Sequence, residues 1–398
     1  MATRLLSFWQ CRNGMEANRI MAETIFFDAN ASVPVLDIAR EAFVDALAQP
    51  GNPSSPHLLG RKARQRLDQA RARVADALGG LEKDIMFTSG ASEGNRWLVD
   101  ALVEKARLVG RRLCVGMSPL EHPAFRKPLL AAHRAEELDV VEGKMSDGGA
   151  IIFPAGRLEK LDALIVTAAH NETGILPRLQ ELLEGVRAEC IVISDAAQAT
   201  GRMAPLPERV DAIVASAHKM GGLAGAGAVL LRGHARGLPL PWSGGGQEGG
   251  RRPGTEPLAL LCAFGAVAEI ATQIREQHAA LAPLRDRLED ELLACWSGAE
   301  IVGASCPRLP QTSAVYLRGA DGEALRMAID RAGICVGFGS ACSALAPEPS
   351  PALLALGLSP AAARATVRFS MAPGASPEMV NEAVARLGNL RRFLCPGA

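Results

Sequence analysis

The chain has no surplus of either charge: Lys and Arg together number 43 and Asp and Glu number 43 across 398 residues. The net field is therefore too weak to favour nucleic acid or an anionic membrane surface, and small or neutral partners are expected instead. Paired cysteines are also lacking. The nine cysteines stand singly at positions 11, 114, 190, 262, 295, 306, 335, 342 and 395, with no Cys-x-x-Cys pair and no histidines at zinc spacing. That pattern argues against a disulfide framework and against a structural metal. Long apolar runs are missing too, since none approaches the roughly 20 residues of a membrane span. The apolar stretch near the N-terminus covers about five residues, short of the roughly 7 to 15 of a secretory leader. Together with the odd cysteine count this points to a reducing, cytoplasmic setting. Met15 and Met21 offer later starts, so residues 1–22 read either as native chain or as a non-native or disordered extension.

What is present is an ordinary globular composition, 48% hydrophobic and 22% charged, enough to bury a large core shared between two lobes. From about residue 84, short β-rich runs alternate with helical patterns, which predicts an α/β lobe around a mainly parallel sheet. The strand candidates are 84–89, 112–117, 162–169, 190–196, 211–217 and 227–232, several of them apolar nearly throughout, as strands covered on both faces should be. Ala63, Leu67, Ala70, Val74 and Leu78 recur at three- and four-residue steps and predict an amphipathic helix. A second long helix is expected over 257–288, bridging into a smaller C-terminal lobe. Ser359–Pro360 and Ser376–Pro377 read as helix starts in that lobe.

The strand candidate "DAIVASA" runs into "HKMGG", which sets Lys219 where a sheet's carboxyl edge opens, the usual ligand position in α/β proteins. A lysine there is often no more than a solvated strand end. The strand candidate "CIVISDAAQ" ends in Asp195 and Gln198, at the same edge if the two strands are parallel. Asp195 also reads as a helix N-cap. A strand ending in Asp, then a strand ending in Lys, is the pattern of a pyridoxal phosphate site. The lysine holds the aldehyde and the aspartate keeps the pyridine nitrogen protonated, so that the ring draws electrons. "TSGASEGN" (88–95) supplies a glycine turn before a helix, where free amides face an anion. "GFGSACSAL" (337–345) places Cys342 among small residues, on a loop that reads either as an idle linker or as the carrier of a reactive thiol.

The ordered blocks "FFDANASVPV", "GNPSSPHLLGRKAR", "FTSGASEGN", "EHPAF", "HNETG", "SDAAQATG", "SAHK", "GGGQEGGRRPGTEP", "GSACS" and "ATVRFS" resemble those of a cysteine desulfurase, of class V of the fold-type I aminotransferases, from about residue 25 to 390. The resemblance implies a large domain, 37–264, built on a mainly parallel seven-stranded sheet, and a smaller α+β domain made of 1–36 and 265–398. It implies pyridoxal 5'-phosphate as cofactor and L-cysteine as substrate, with alanine released and a persulfide left on Cys342 for a sulfur-acceptor protein of unknown identity. By the same resemblance Lys219 holds the cofactor and carries the Cα proton, Asp195 pairs with the pyridine nitrogen, Gln198 with the ring hydroxyl, and His122 stacks on the ring. Ala91, Ser92, Ser216 and His218 correspond to phosphate contacts. Thr255 corresponds to a residue that reaches the phosphate of a partner subunit, implying a homodimer with shared sites; without the analogy its glycine-rich segment reads as a flexible loop. Asn171 and Arg368 match the pair that holds the substrate carboxylate, a task suited to a planar guanidinium; apart from the family, Arg368 reads as an exposed strand residue.

The chain departs from the family in places. His170 stands where asparagine is usual and Ser92 where threonine is usual, and "HKMGGLAGAGA" lacks the Pro-Lys seen after the cofactor lysine in many members. The tail after the last helix is shorter than in members that dock an iron-sulfur scaffold, which weakens the expectation of that partner and leaves cluster assembly, transfer RNA thiolation and molybdenum cofactor pathways open. The rival readings are a selenocysteine lyase, a thiol-independent aminotransferase or lyase of class V, and a catalytically silent scaffold homologue. Cys342 counts against the thiol-independent versions. Retention of Lys219, Asp195, His122, Cys342 and Arg368 together counts against the silent one.

Overall fold

The computed structural model describes residues 24–339 and 348–394. Its centre is a seven-stranded sheet in the order Ile85–Thr88, Gly227–Leu231, Ala212–Ser216, Ile191–Asp195, Ala163–Ile165, Leu113–Met117, Leu138–Glu142. Gly227–Leu231 is antiparallel to both its neighbours and the other pairings are parallel. This is the α/β sheet of fold type I. The apolar strand candidates each contain one of these strands, and Ile191–Asp195, Ala212–Ser216 and Gly227–Leu231 are buried at every residue. Alternate residues serve opposite faces: Val192, Ile213 and Leu230 join one apolar layer, while Ile193, Val214 and Val229 join the other. That is the two-residue period of an extended chain. The edge strand Leu138–Glu142 exposes Glu142 and half-buries Asp139, so it lacks the continuous apolar run that marks its neighbours.

The stripe of Ala63, Leu67, Ala70, Val74 and Leu78 lies buried on the helix Leu58–Leu78, which the His57 ring caps by accepting from the Gly60 amide at 3.2 Å. This helix packs against Leu258–Glu269 so closely that a Cβ on Gly265 would stand 2.8 Å from the Ala70 Cα. The expected long helix over 257–288 is instead three helices, Leu258–Glu269, Ala271–Ala279 and Ala282–Cys295, with a bend of 57° after the first. Its apolar periodicity is continuous, but Ile270 leaves helical geometry at φ −105°, ψ 21°. Pro283, which has no amide to donate, is the second residue of the third helix, within the first turn where proline is tolerated. Ser359 and Ser376 cap their helices as expected, accepting from Ala362 at 3.2 Å and from Met379 at 3.3 Å.

A smaller antiparallel sheet is formed by Glu300–Ile301, Thr312–Tyr316 and Thr366–Ser370, and Ile25–Phe27 pairs in parallel with Ile334–Val336. Their shared core includes Phe27, Leu288, Trp296, Val315, Phe369 and Leu387. Ile25–Phe27 thus belongs with C-terminal residues, and the chain leaving it carries Asn30 and Ala31 to the edge of the large sheet. Among the described residues no single helix is long and apolar enough to cross a membrane.

Candidate active site

The carboxyl ends of the parallel strands open into one cavity of about 320 Å³. Asp195 is the last residue of its strand and Lys219 follows Ser216 by a single 3₁₀ turn; because these strands are adjacent and parallel, both residues line the cavity. The third wall is the turn before the helix Ala91–Val109. Gly227 makes the turn's approach feasible, since a Cβ there would stand 2.6 Å from the Gly90 Cα. The first-turn amides of this helix, starting at Ala91 and Ser92, have no preceding turn to bond to and face an anion readily. Ser216 and His218 also line the cavity, their Oγ and Nδ1 2.8 Å apart.

Burial sets the proton chemistry. The Lys219 ammonium is pushed down to about 8, first by burial and then by the cationic Arg202 and Arg368. Its Nζ donates to the backbone oxygens of Asn30 at 2.5 Å and Ala31 at 2.7 Å. His218 falls to about 4, by burial and then by Lys219 and Arg202, so its ring is neutral near pH 7. His122 is also lowered, mainly by burial. Its Nδ1 accepts from the Ala124 amide at 3.1 Å, which leaves the proton of the neutral ring on Nε2. Asp195 accepts from the Asn95 amide group at 2.7 Å and from the Ala197 backbone at 2.9 Å.

Arg368 is not an exposed strand residue: it is 2% accessible. Its guanidinium is ion-paired with Asp28 and donates to the Asn171 backbone oxygen at 3.1 Å, while its buried Nε has no partner. Asn171 lines the cavity beside it. Gln198 donates to the Asn30 oxygen at 2.9 Å and accepts from Arg202. His170, the departure from the family pattern, is buried, lies 2.9 Å from the Thr173 hydroxyl, and is held neutral down to about 3 by burial. Thr255 is exposed and is not part of the cavity wall. Cys342 lies outside the described residues.

Without the family analogy the segment 244–255 reads as a flexible glycine loop, and the structure corrects that. Glu248 makes two bonds to Arg71, at 2.6 and 2.7 Å, and accepts from the Phe87 amide at 2.8 Å. Trp97 donates to the Arg251 oxygen at 2.9 Å, and Arg252 donates to Glu93 at 2.8 Å. Glycine content alone did not reveal these anchors, because each partner lies far away in sequence.

Sequence reasoning also missed Asn30 and Arg202. Arg202 is fully enclosed and donates to Asn30 Oδ1 at 2.9 Å and to the Ala29 oxygen at 3.1 Å as well as to Gln198. Asn30 in turn donates to the Asn171 oxygen at 3.1 Å and to Thr312 at 3.0 Å. One signal was available: Arg202 follows Gln198 by four residues, the step that brings side chains together on a helical turn.

Comparison with known proteins places this geometry. The Aminotransferase class-V family model matches residues 25–382. The chain is 35% identical to a cysteine desulfurase of Cereibacter sphaeroides over 360 residues, covering 88% of this chain and 91% of that one. It is 33% identical to an IscS-like cysteine desulfurase of Mycobacterium tuberculosis over 358 residues, covering 87% and 91%. Among solved structures, a NifS-like protein superposes with a TM-score of 0.82 at 27% identity, over 93% of this chain and 100% of the other. SspA in complex with cysteine superposes with a TM-score of 0.74 at 27% identity, over 88% and 99%. The chain belongs to the class-V aminotransferase family and, within it, to the cysteine desulfurases.

Proposed function

We propose that this protein binds pyridoxal 5'-phosphate and converts L-cysteine to L-alanine, leaving a persulfide on Cys342 that passes to an acceptor protein. The observation that carries this reading is the convergence of Lys219, Asp195 and Arg368 on one cavity, where an amine, a carboxylate and a guanidinium each match a different part of a cofactor–amino acid pair. The donor set fits the cofactor. The Ala91 and Ser92 amides with Ser216 and His218 would hold its phosphate, Asp195 its ring nitrogen, Gln198 its ring hydroxyl and Lys219 its aldehyde, with His122 against the ring. At Gly90 an added Cβ would meet nothing within 4 Å, so the turn faces open space rather than packed side chains.

When bound, the cofactor supplies an electron sink for the bond broken at the substrate Cα. Asn171 and Arg368 hold the substrate carboxylate. Lys219, whose lowered pKa makes the neutral amine accessible near pH 8, removes the Cα proton. The Cys342 thiolate attacks the substrate sulfur: an S–S bond forms, the substrate C–S bond breaks, and the carbon that loses sulfur gains a proton. One L-cysteine and one protein thiol thus become one L-alanine and one protein persulfide, with no outside oxidant.

The division of the chain into 37–264 and 1–36 with 265–398 is part of the same proposal, supported by a third apolar core that unites Phe27 with residues beyond 280. So is a homodimer: Thr255, exposed beside a firmly anchored loop, would serve the phosphate of a second copy. The reading is tested with two variants. Lys219→Ala is expected to lose the absorbance of lysine-bound cofactor, and Cys342→Ala to keep it while forming no protein persulfide. Normal lysine-bound absorbance in the first, or full-rate desulfuration by the second, contradicts these assignments.

A further inference from the structure

Arg368, proposed above to grip the substrate carboxylate, lies in the wall between two cavities. On one side is the active-site cavity, which it lines together with Asn171 and Lys219. On the other is a second cavity of about 590 Å³, lined by Phe26, Asp28 and residues of the helix Gly322–Arg331. Asp28 lines the second cavity and not the first. Its carboxylate is ion-paired with one terminal nitrogen of the Arg368 guanidinium, while the other terminal nitrogen donates to the Asn171 backbone oxygen at 3.1 Å. The guanidinium is therefore fixed at two of its three nitrogens, once by a carboxylate that belongs to the far side of the wall.

The backbone brings this pair together. Asp28 forms a parallel bridge with Ser370, the last residue of the strand that carries Arg368, and the Ala29 amide donates to the Ser370 oxygen at 2.9 Å. Arg368 exchanges two further backbone bonds with Gly337, at 3.0 and 2.7 Å. The Arg368 side chain is 3% exposed and that of Asp28 25%, so the cation is enclosed and its counter-ion stands at the rim. An arginine side chain carries about 2 kcal/mol of rotamer entropy, and gripping a carboxylate through two parallel N–H donors requires the guanidinium plane to face it. A guanidinium already held in place meets most of that cost before the substrate arrives. The negative charge of Asp28 works the other way, by repelling a second carboxylate, but charge and orientation can be separated by substitution.

We propose that Asp28 is a positioning residue for substrate binding: from the far side of the wall it holds the Arg368 guanidinium in the plane that receives the amino-acid carboxylate. The proposal rests on the desulfurase reading above and assigns Asp28 to binding rather than to the chemical step. Asparagine at this position keeps an oxygen that accepts from Arg368 and removes only the charge. Alanine removes both.

The test compares cofactor-loaded wild type, Asp28→Ala and Asp28→Asn in alanine formation from L-cysteine. It is run above the value of about 8 at which Lys219 titrates, because the Asp28 charge also bears on that amine. Asp28→Ala is expected to raise KM about tenfold, the lower end for one lost hydrogen bond to a charged group, while kcat holds. Asp28→Asn keeps KM near or below that of wild type. In the cofactor-free proteins, phenylglyoxal, an arginine reagent, is expected to label Arg368 about tenfold faster in Asp28→Ala than in wild type or Asp28→Asn, by the same reckoning, as read by peptide mass spectrometry. If Asp28→Ala does not fold, Asp28→Ser takes its place, since it keeps a polar group at the rim but is too short to make the same bond. An unchanged or lowered KM in Asp28→Ala, a fall in kcat without a rise in KM, an equal rise in KM in Asp28→Asn, or unaltered labelling of Arg368 overturns the proposal and leaves the desulfurase reading in place. A wild-type protein that forms no alanine from L-cysteine overturns both.

Discussion

The Arg202 guanidinium donates to the backbone oxygen of Lys219 at 3.3 Å, placing a buried cation beside the amine proposed to do the proton chemistry. Burial lowers the Lys219 pKa most, and Arg202 is the next contributor. The same guanidinium fixes Gln198 and Asn30, so one residue links electrostatics and geometry. In cofactor-free Arg202→Met protein, Lys219 is expected to titrate above its wild-type value of about 8. Acylation of Lys219 as a function of pH, quantified by peptide mass spectrometry, measures this. An unshifted or lower midpoint contradicts the coupling.

The depressed Lys219 pKa also makes a statement about stability. The amine titrates near 10.5 when unfolded and near 8 when folded, so between these values the unfolded chain binds the extra proton and stability rises with pH. Below about pH 8 both states are charged and the full cost of burying the charge is present. Cofactor-free Lys219→Met lacks this cost. Its stability relative to wild type is therefore greatest below pH 8 and declines toward pH 10.5, by at most about 1.4 kcal/mol per pH unit. Urea titrations at several pH values check the slope, and a difference that grows with pH runs against it.

Asp195 holds Asn95 as well as facing the cavity. The Asn95 Oδ1 is already buried without a partner, so Asp195→Ala strips the side chain of its one bonded group. The variant is expected to lose about 1–3 kcal/mol of stability in the cofactor-free protein, from the unmet buried amide, in addition to its weakened cofactor binding. Chemical denaturation measures the first and cofactor titration the second.

Glu248 is the central anchor of the glycine-rich segment before Thr255. Its side chain is 1% exposed against an Arg71 side chain 10% exposed. Removing one partner of a buried pair leaves an uncompensated charge, so Glu248→Ala is expected to cost about 3–5 kcal/mol. A change in denaturation midpoint equivalent to less than 1 kcal/mol would mean that the Arg71 charge finds water.

Much of the fold was legible because its signals are local. The runs around Val192, Ile213 and Leu230 are apolar on both faces because helices cover both faces of the sheet, and Asp195 and Lys219 announce themselves by ending such runs. Leu138–Glu142 was hidden because an edge strand has less to bury. The break at Ile270 was hidden because apolar periodicity continues through it while the backbone turns. The supports of the site were least legible. Asn30 meets Gln198 and Lys219, and Arg71 meets Glu248, across separations that no local pattern encodes. Apart from the family resemblance Arg368 read as an exposed strand residue; it does lie in a strand, but enclosed with Asp28 and Asn171.

The central claim is that one cavity joins an amine, a carboxylate and a guanidinium so that a protein thiol can take sulfur from an amino acid. The measurement that tests it most directly incubates the cofactor-loaded protein with L-cysteine, quantifies alanine, and maps modified cysteines by mass spectrometry. The account predicts alanine formation together with a persulfide on Cys342, both abolished in Lys219→Ala. Alanine formed without sulfur on Cys342, or a persulfide that persists in Lys219→Ala, would contradict it.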